Sequence, residues 1–471
     1  MDTDEFRRRG HALIDRIADY WEGIEARPVR ARVRPGEIVA ALPREAPETG
    51  EGFDEILADF DRVLDPGLTN WAHPRFFAYF PANITPPAVL GEVFAAGLGQ
   101  QAMLWETSPA ANELEAVTMV WLGKAIGLPD GFEGTIQDSA STATLCALLA
   151  AREKALQWSG NADGLSGKPA MTVYASSEAH SSIDKAVRIA GYGIAGLRRV
   201  ETDARFGMRP DALDAMIAAD RAAGRLPAAI VASIGATGIG AVDPVRAIAG
   251  VAAKHGVYLH VDAAWAGSAL VCPEFRHMAD GIEGADSLVF NPHKWMGVNF
   301  DCSAHFVKDP DVLRKALSIL PAYLVSEGSG AGPEYRDWTI PLGRRFRALK
   351  LWFALRSHGL EAIRAMIRNH VAWTEELEGL IAAEPGFELA APRSLALLAF
   401  RLRPDGVEGE DLDALNDRLI AIVNETGFTY LTRTLVKGRV AARVSVGNLL
   451  TERRHVLEAW DHIRDVAGTL S

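Results

Sequence analysis

The chain has 471 residues, 48% hydrophobic and 23% charged, which is ordinary globular composition with length for a large core and a second, smaller lobe. Its formal net charge of −12 argues against nucleic acid or an anionic membrane as the main partner. The three scattered cysteines (Cys146, Cys272, Cys302) fit neither a disulfide framework nor a zinc site, and no apolar signal segment or bilayer-length run is present, so a cytoplasmic protein without a metal centre is expected.

In chain order, Phe6, Leu13, Ile17, Tyr20 and Ile24 recur at three- to four-residue steps and predict an amphipathic helix over 4–25. Its apolar stripe needs its own domain or a partner subunit to pack on. A proline-rich connection follows over 28–47. Between 71 and 85, Trp71, Phe76, Phe77, Tyr79 and Phe80 sit among turn residues and read either as a core hinge or as the wall of a pocket for an aromatic ligand. Ser108-Pro109 opens a helix carrying Leu114, Val117, Val120 and Trp121 and closing near Gly127-Leu128-Pro129. The small and hydroxyl residues of 134–144 lead into another helix, whose start is a ready anion site or an ordinary cap; Asp138 at its mouth counts slightly against an anion.

The middle of the chain alternates strand and helix: strands over 171–175, 228–233, 257–261 and 288–290, with helices between them. This alternation predicts a mostly parallel sheet covered by helices, and ligands on such sheets bind beyond the carboxyl ends of the strands. His180, Thr237, Asp262 and Lys294 all fall at that edge. Asp243-Pro244 reads as a helix cap. The glycine-rich 323–336 stretch reads as a linker or a lid carrying Tyr323. A long helical stretch over 345–370 leads to a small α/β lobe with strands over 395–402 and 441–446. Neither a G-x-G-x-x-G nor a Walker loop is present, so nucleotide readings lack their fingerprint.

Lys294 stands in Asn291-Pro292-His293-Lys294-Trp295, where a strand stops. Partial burial there disfavours the ammonium and makes the amine a better nucleophile, able to hold an aldehyde such as pyridoxal phosphate as an imine. That chemistry also needs a carboxylate beside the pyridine nitrogen, a helix start for the phosphate and a flat group on the ring. Asp262 in His260-Val261-Asp262-Ala263-Ala264-Trp265, the Ser139–Ser141 helix start and His180 are candidates.

Together with the Phe76–Pro81 segment, Gln137 before Ser139-Ala140-Ser141, Asn299–Ala304 and Pro341-Leu342-Gly343-Arg344-Arg345-Phe346, these motifs make the chain resemble the pyridoxal-phosphate-dependent aromatic L-amino-acid decarboxylases (group II; DOPA, tryptophan and tyrosine decarboxylase-like) over nearly its whole length. The resemblance implies an α/β, fold type I large domain with a mostly parallel sheet. The expected divisions are an N-terminal helical dimerisation segment (1–84), the cofactor domain (85–365) and a small C-terminal α/β domain (366–471). It implies Lys294 as the Schiff-base lysine, Asp262 as the pyridinium partner and His180 stacked on the ring near the substrate carboxylate. Ala140, Ser141, Ser287 and Asn291, with His293, would hold the phosphate, and Thr237 would lie beneath the cofactor. Tyr323 would protonate the substrate carbon. A homodimer with its active site at the subunit interface is implied, with the 4–25 helix in that interface.

Trp71, Tyr79, Phe80, Pro81, Ala82, Gln101, Met103 and Gly343 would line the substrate pocket. Tyr323 stands where relatives that make aldehydes commonly carry phenylalanine, which favours simple decarboxylation. Gly343 leaves room for a larger ring, and Ala82 lacks the hydroxyl that the DOPA enzymes place near the catechol. The expected order is tryptophan, phenylalanine and tyrosine ahead of DOPA. An aldehyde synthase, or a decarboxylase of a non-aromatic amino acid such as glutamate, is the alternative.

Overall fold

A computed structural model describes residues 1–319 and 332–470. Two compact units account for the chain: one built from 82–372 and 391–398, the other from 1–81, 373–390 and 399–471.

In the first unit seven strands form one sheet: β1 (Glu133–Gln137), β2 (Met171–Ser176), β3 (Leu197–Val200), β4 (Leu226–Ser233), β5 (Tyr258–Asp262), β6 (Ser287–Phe290) and β7 (Ser303–Val307). Their order is β1-β7-β6-β5-β4-β2-β3. β2 to β6 run parallel, and β7 lies antiparallel between β6 and β1. Strands β2, β5 and β6 are buried throughout, as expected for a sheet covered on both faces. Asp262 ends β5 rather than following it. Strands β1, β3 and β7 were absent from the sequence reading; β1 is short and carries a glycine. That glycine is required by close approach, since a Cβ on Gly134 would meet Met119 Cε at 2.4 Å.

A buried ion pair ties this sheet to its flanks. Arg344 Nη2 donates to Glu115 Oε1 (2.7 Å) and to the carbonyl of Ile136 (2.9 Å), and Glu115 Oε1 also accepts from the Ile136 N–H (2.8 Å). Both side chains are nearly inaccessible, so removing one partner strands a buried charge, at a cost of about 3–5 kcal/mol. Tyr335 and Arg336, read from sequence as the end of a loop, belong instead to a buried 3-10 turn over Tyr335–Trp338.

The helix Arg347–Ala383 is longer than expected and breaks at Gly359, whose φ of +68° only glycine adopts without strain.

In the other unit the terminal helix Thr3–Glu22 forms as predicted, capped by Asp2, which accepts from the Glu5 N–H at 2.8 Å. None of its residues is buried, and Phe6 is 66% exposed. Beside it, Leu13, Ile17, Tyr20, Leu57, Phe60 and Leu68 line a cavity of about 610 Å³. The four-stranded sheet here runs β10 (Thr432–Val436), β11 (Arg439–Ser445), β9 (Leu397–Leu402), β8 (Phe387–Leu389). No described helix is long and apolar enough to cross a membrane.

Candidate active site

The carboxyl ends of β1, β2, β4, β5 and β6 share one edge of the seven-stranded sheet, and the candidate residues collect there. Asp262 is flanked in register by Ser233 of β4 and Val289 of β6. Beyond β6, the Asn291 N–H donates to the Ala264 carbonyl (2.9 Å), which brings the Lys294 turn against the segment following Asp262. Pro292 then opens the short helix Pro292–Trp295, with Lys294 partly buried in it. Beyond β1, the helix Ala140–Ala155 begins over the same edge, where Ala140 and Ala143 pack with Val289 and Ala264.

Several polar groups at this edge lack partners among the described residues. Ser139 Oγ accepts from the Thr142 N–H (3.2 Å) and caps the helix, leaving the amides of Ala140 and Ser141 pointing out of its first turn. The Ser141 hydroxyl is exposed and unbonded. Asn291 Oδ1 accepts from Ser303 Oγ (2.7 Å), while its Nδ2 has no protein partner. Asp262 is buried, with Oδ1 accepting from the Ala264 N–H (3.0 Å) and Oδ2 unspent. Two helix amides, a hydroxyl and an amide NH2 fit a phosphate, and a free carboxylate oxygen fits a ring N–H. The site therefore suits pyridoxal phosphate on its own donor set.

His180 ends the turn after β2. Its Nδ1 accepts from the Ser182 N–H (3.1 Å). Desolvation lowers its pKa, the Asp262 carboxylate opposes this, and the Lys294 ammonium adds to it. The imidazole is therefore neutral at pH 7 and lies within the fields of both other candidates. Thr237 sits half-buried in the loop after β4.

Some expectations are corrected. Ser287 begins β6, at the end of the strand away from Asn291, and its buried hydroxyl is bonded to His260 Nδ1 (2.8 Å), so it cannot serve the phosphate. Among the described residues His293 spends only its Nδ1, which accepts from the Cys302 N–H (2.9 Å) and braces the 300–302 turn, and burial pushes the imidazole pKa down to about 3. Asp243 does not cap a helix. It is buried, holds the Met208 and Ser233 amides (both 2.7 Å) below the end of β4, and burial raises its pKa to about 6. Asp138 accepts a long bond from Ser139 Oγ (3.4 Å) and adds to the field around Arg347.

The pocket candidates separate. Ala82 precedes Asn83, whose Nδ2 donates to the Lys294 carbonyl (2.6 Å); Thr85 Oγ1 likewise holds the Gly297 carbonyl (2.8 Å). Gln101, Met103 and Gly343 form a second cluster, organised around Arg344. Gln101 Oε1 accepts from the Arg344 N–H (2.5 Å), and the Arg336 N–H reaches the Met103 carbonyl (3.0 Å). A Cβ on Gly343 would meet Gln101 Nε2 at 3.4 Å. Trp71, Tyr79, Phe80 and Pro81 belong to the other unit. There Trp71 stacks on Tyr79 (5.8 Å), and Arg443, missed in the sequence, donates to the Tyr79 carbonyl (2.6 Å) while its guanidinium covers Phe80 (4.4 Å). These contacts hold Tyr79 at an unusual φ of +48°. Tyr323 lies outside the described residues.

Comparison with known proteins gives a consistent picture. The pyridoxal-dependent decarboxylase conserved domain matches residues 35–403. The chain is 42% identical to phenylacetaldehyde synthase of Arabidopsis thaliana, covering 100% of this chain and 97% of that protein. The crystal structure of Oryza sativa TDC with PLP and tryptamine superposes with a TM-score of 0.96 at 36% identity, covering 100% of this chain and 99% of that one. Catharanthus roseus tryptophan decarboxylase in complex with L-tryptophan gives a TM-score of 0.94 at 37% identity, with the same coverage.

Proposed function

The chain belongs to the pyridoxal-dependent decarboxylase family and takes pyridoxal 5′-phosphate as cofactor, and from that premise we propose that it removes CO2 from an aromatic L-amino acid to leave the aryl amine, with tryptophan, phenylalanine and tyrosine ahead of DOPA. The observation that carries this reading is the grouping of Lys294, Asp262 and His180 at one sheet edge, with the open amides of Ala140 and Ser141 beside them. When bound, the protonated ring of the cofactor supplies the sink for the electrons that the departing carboxylate leaves behind.

The chain's own residues do the rest. Lys294 offers the amine that holds the aldehyde, and Ala140, Ser141 and Asn291 hold the phosphate. Asp262 Oδ2 holds a proton at the ring nitrogen. His180, being neutral, can lie beside the substrate carboxylate without an ion pair that would stabilise it before CO2 leaves. Tyr323 is assigned the return of the proton to Cα, by resemblance alone. Such a placed donor is worth about 10²–10⁴-fold.

An aromatic side chain is favoured by the bare Gly343 beside Gln101 and by the aromatic substrates named for the relatives. The relatives include tryptophan decarboxylases and an aldehyde synthase, so the chemistry after CO2 loss is the alternative to resolve. Cofactor-loaded protein should be offered L-tryptophan, L-phenylalanine, L-tyrosine, L-DOPA and L-glutamate separately, with products read by mass spectrometry. Aryl amine plus CO2 is expected. Aldehyde with ammonia and peroxide would overturn the amine reading, and amine from glutamate alone would overturn the aromatic pocket.

A homodimer belongs to the same proposal. The helix Pro86–Leu98 leaves Leu90, Val93 and Phe94 about half exposed, and the helix Pro109–Ile126 leaves Val120 and Trp121 exposed, apolar surface that a second copy would cover. Light scattering should give twice the mass of one chain; a monomeric mass in active protein would exclude it.

A further inference from the structure

Asp262 ends β5 and Lys294 sits in the short helix after β6, yet the chemistry requires them in fixed mutual placement. Each carries a tryptophan close behind it. Trp265 follows Asp262 by three residues and Trp295 follows Lys294 directly. Both indoles are fully buried and stack on one another, with centroids 5.0 Å apart and planes 15° apart. Trp265 also supports the loop carrying Thr237, since a Cβ on Gly235 would meet its Cε3 at 3.2 Å. Three arms of the site therefore rest on one pair of rings.

A stack resists tilting but lets a ring turn in its own plane, so something else must fix that angle. The helix Arg347–Ala383 supplies it beyond its break at Gly359. The Trp295 Nε1–H donates to His370 Nδ1 at 2.9 Å, with the two rings within 3° of parallel and His370 buried. An edge-to-edge bond between parallel rings locks the indole's rotation. It also fixes the histidine tautomer, because a bond accepted at Nδ1 puts the proton of the neutral ring on Nε2.

We propose that His370 is a positioning residue. By accepting the Trp295 N–H it sets the rotation of Trp295, and through the Trp295–Trp265 stack it sets the placement of Lys294 relative to Asp262. The proposal rests on Lys294 being the cofactor lysine. It predicts a defect in holding and using the cofactor rather than in binding the amino acid.

The test uses the full-length holoenzyme and four variants. His370→Phe keeps a ring but removes the acceptor, and His370→Asn returns an acceptor near the position of Nδ1. Trp295→Phe removes the donor from the other side, and the fourth variant combines His370→Phe with Trp295→Phe. Readouts are pyridoxal phosphate affinity from the absorbance of the lysine-bound cofactor, kcat and KM for the best substrate, and far-UV circular dichroism for folding.

A buried indole N–H without a partner is expected to cost about tenfold in cofactor affinity and in kcat. His370→Phe should show that loss with KM within about twofold of wild type, and His370→Asn should recover most of it. The double variant should be no worse than the poorer single, because both singles break one bond. If His370→Phe fails to fold, Trp295→Phe carries the same prediction. Normal affinity and kcat without the bond, equal damage in His370→Asn, or additive losses in the double variant would each overturn the proposal. A Lys294→Ala control separates this from the underlying reading: if that control still binds the cofactor covalently, the lysine assignment fails rather than the role of His370.

Discussion

Lys294→Ala protein is expected to be colourless when loaded with pyridoxal phosphate and inactive toward every amino acid offered. The methyl group cannot hold an aldehyde, and among the described residues the neighbouring lysine chemistry has no substitute: Lys350 is fully buried and paired with Glu92 at 2.8 Å. The loss should be about 10³-fold or more, the scale of removing a covalent nucleophile. The substitution removes a half-buried side chain from a turn whose backbone is held by Asn83, so the fold should persist. Absorbance titration and a CO2-release assay measure both effects; an active Lys294→Ala enzyme would sink the assignment of the whole site.

Asp262→Asn is expected to fold, to bind cofactor less tightly and to lose about 10²–10³-fold in kcat, the range for removing a preorganised charge at a reacting centre. The amide keeps an oxygen for the Ala264 N–H but has no negative charge to hold a proton on the ring nitrogen. A second consequence has a definite sign. The Asp262 carboxylate raises the pKa of His180 against desolvation. Without it the imidazole pKa falls further, so the acid limb of the kcat/KM profile assigned to His180 should move to lower pH. A limb that stays in place would remove His180 from the profile, and a kcat within about threefold of wild type would remove Asp262 from the chemistry.

The shared placement of Asp262, Lys294 and His180 at one sheet edge was legible because each is placed by local rules. An apolar strand runs to its end, a turn residue stops it, and in a parallel sheet all such ends share an edge. The helix start carrying Ala140 and Ser141 was legible for the same reason, since a cap and a helix start are written within four residues. Ser287 was misjudged because its role came from the resemblance alone, while it stands at the amino end of β6, the length of the strand away from the edge that carries Asn291. Asp243 was misjudged because a carboxylate before proline reads as a cap, while its partners come from Met208 and Ser233.

By itself, the sequence determined the fold class and the cofactor, and it placed the candidate residues on one sheet edge, because strand and helix periods and the Asn-Pro-His-Lys-Trp and His-Val-Asp motifs are local. Only the tertiary structure decided what holds those residues still. Asn83 meets Lys294 across 211 positions, Trp295 meets His370 across 75, and Arg443 meets Tyr79 across 364. Hydrogen bonds of that span leave no periodicity in the chain. They exist because burial, with no water to bond to, forces each polar group to find whichever partner the packed fold brings within reach.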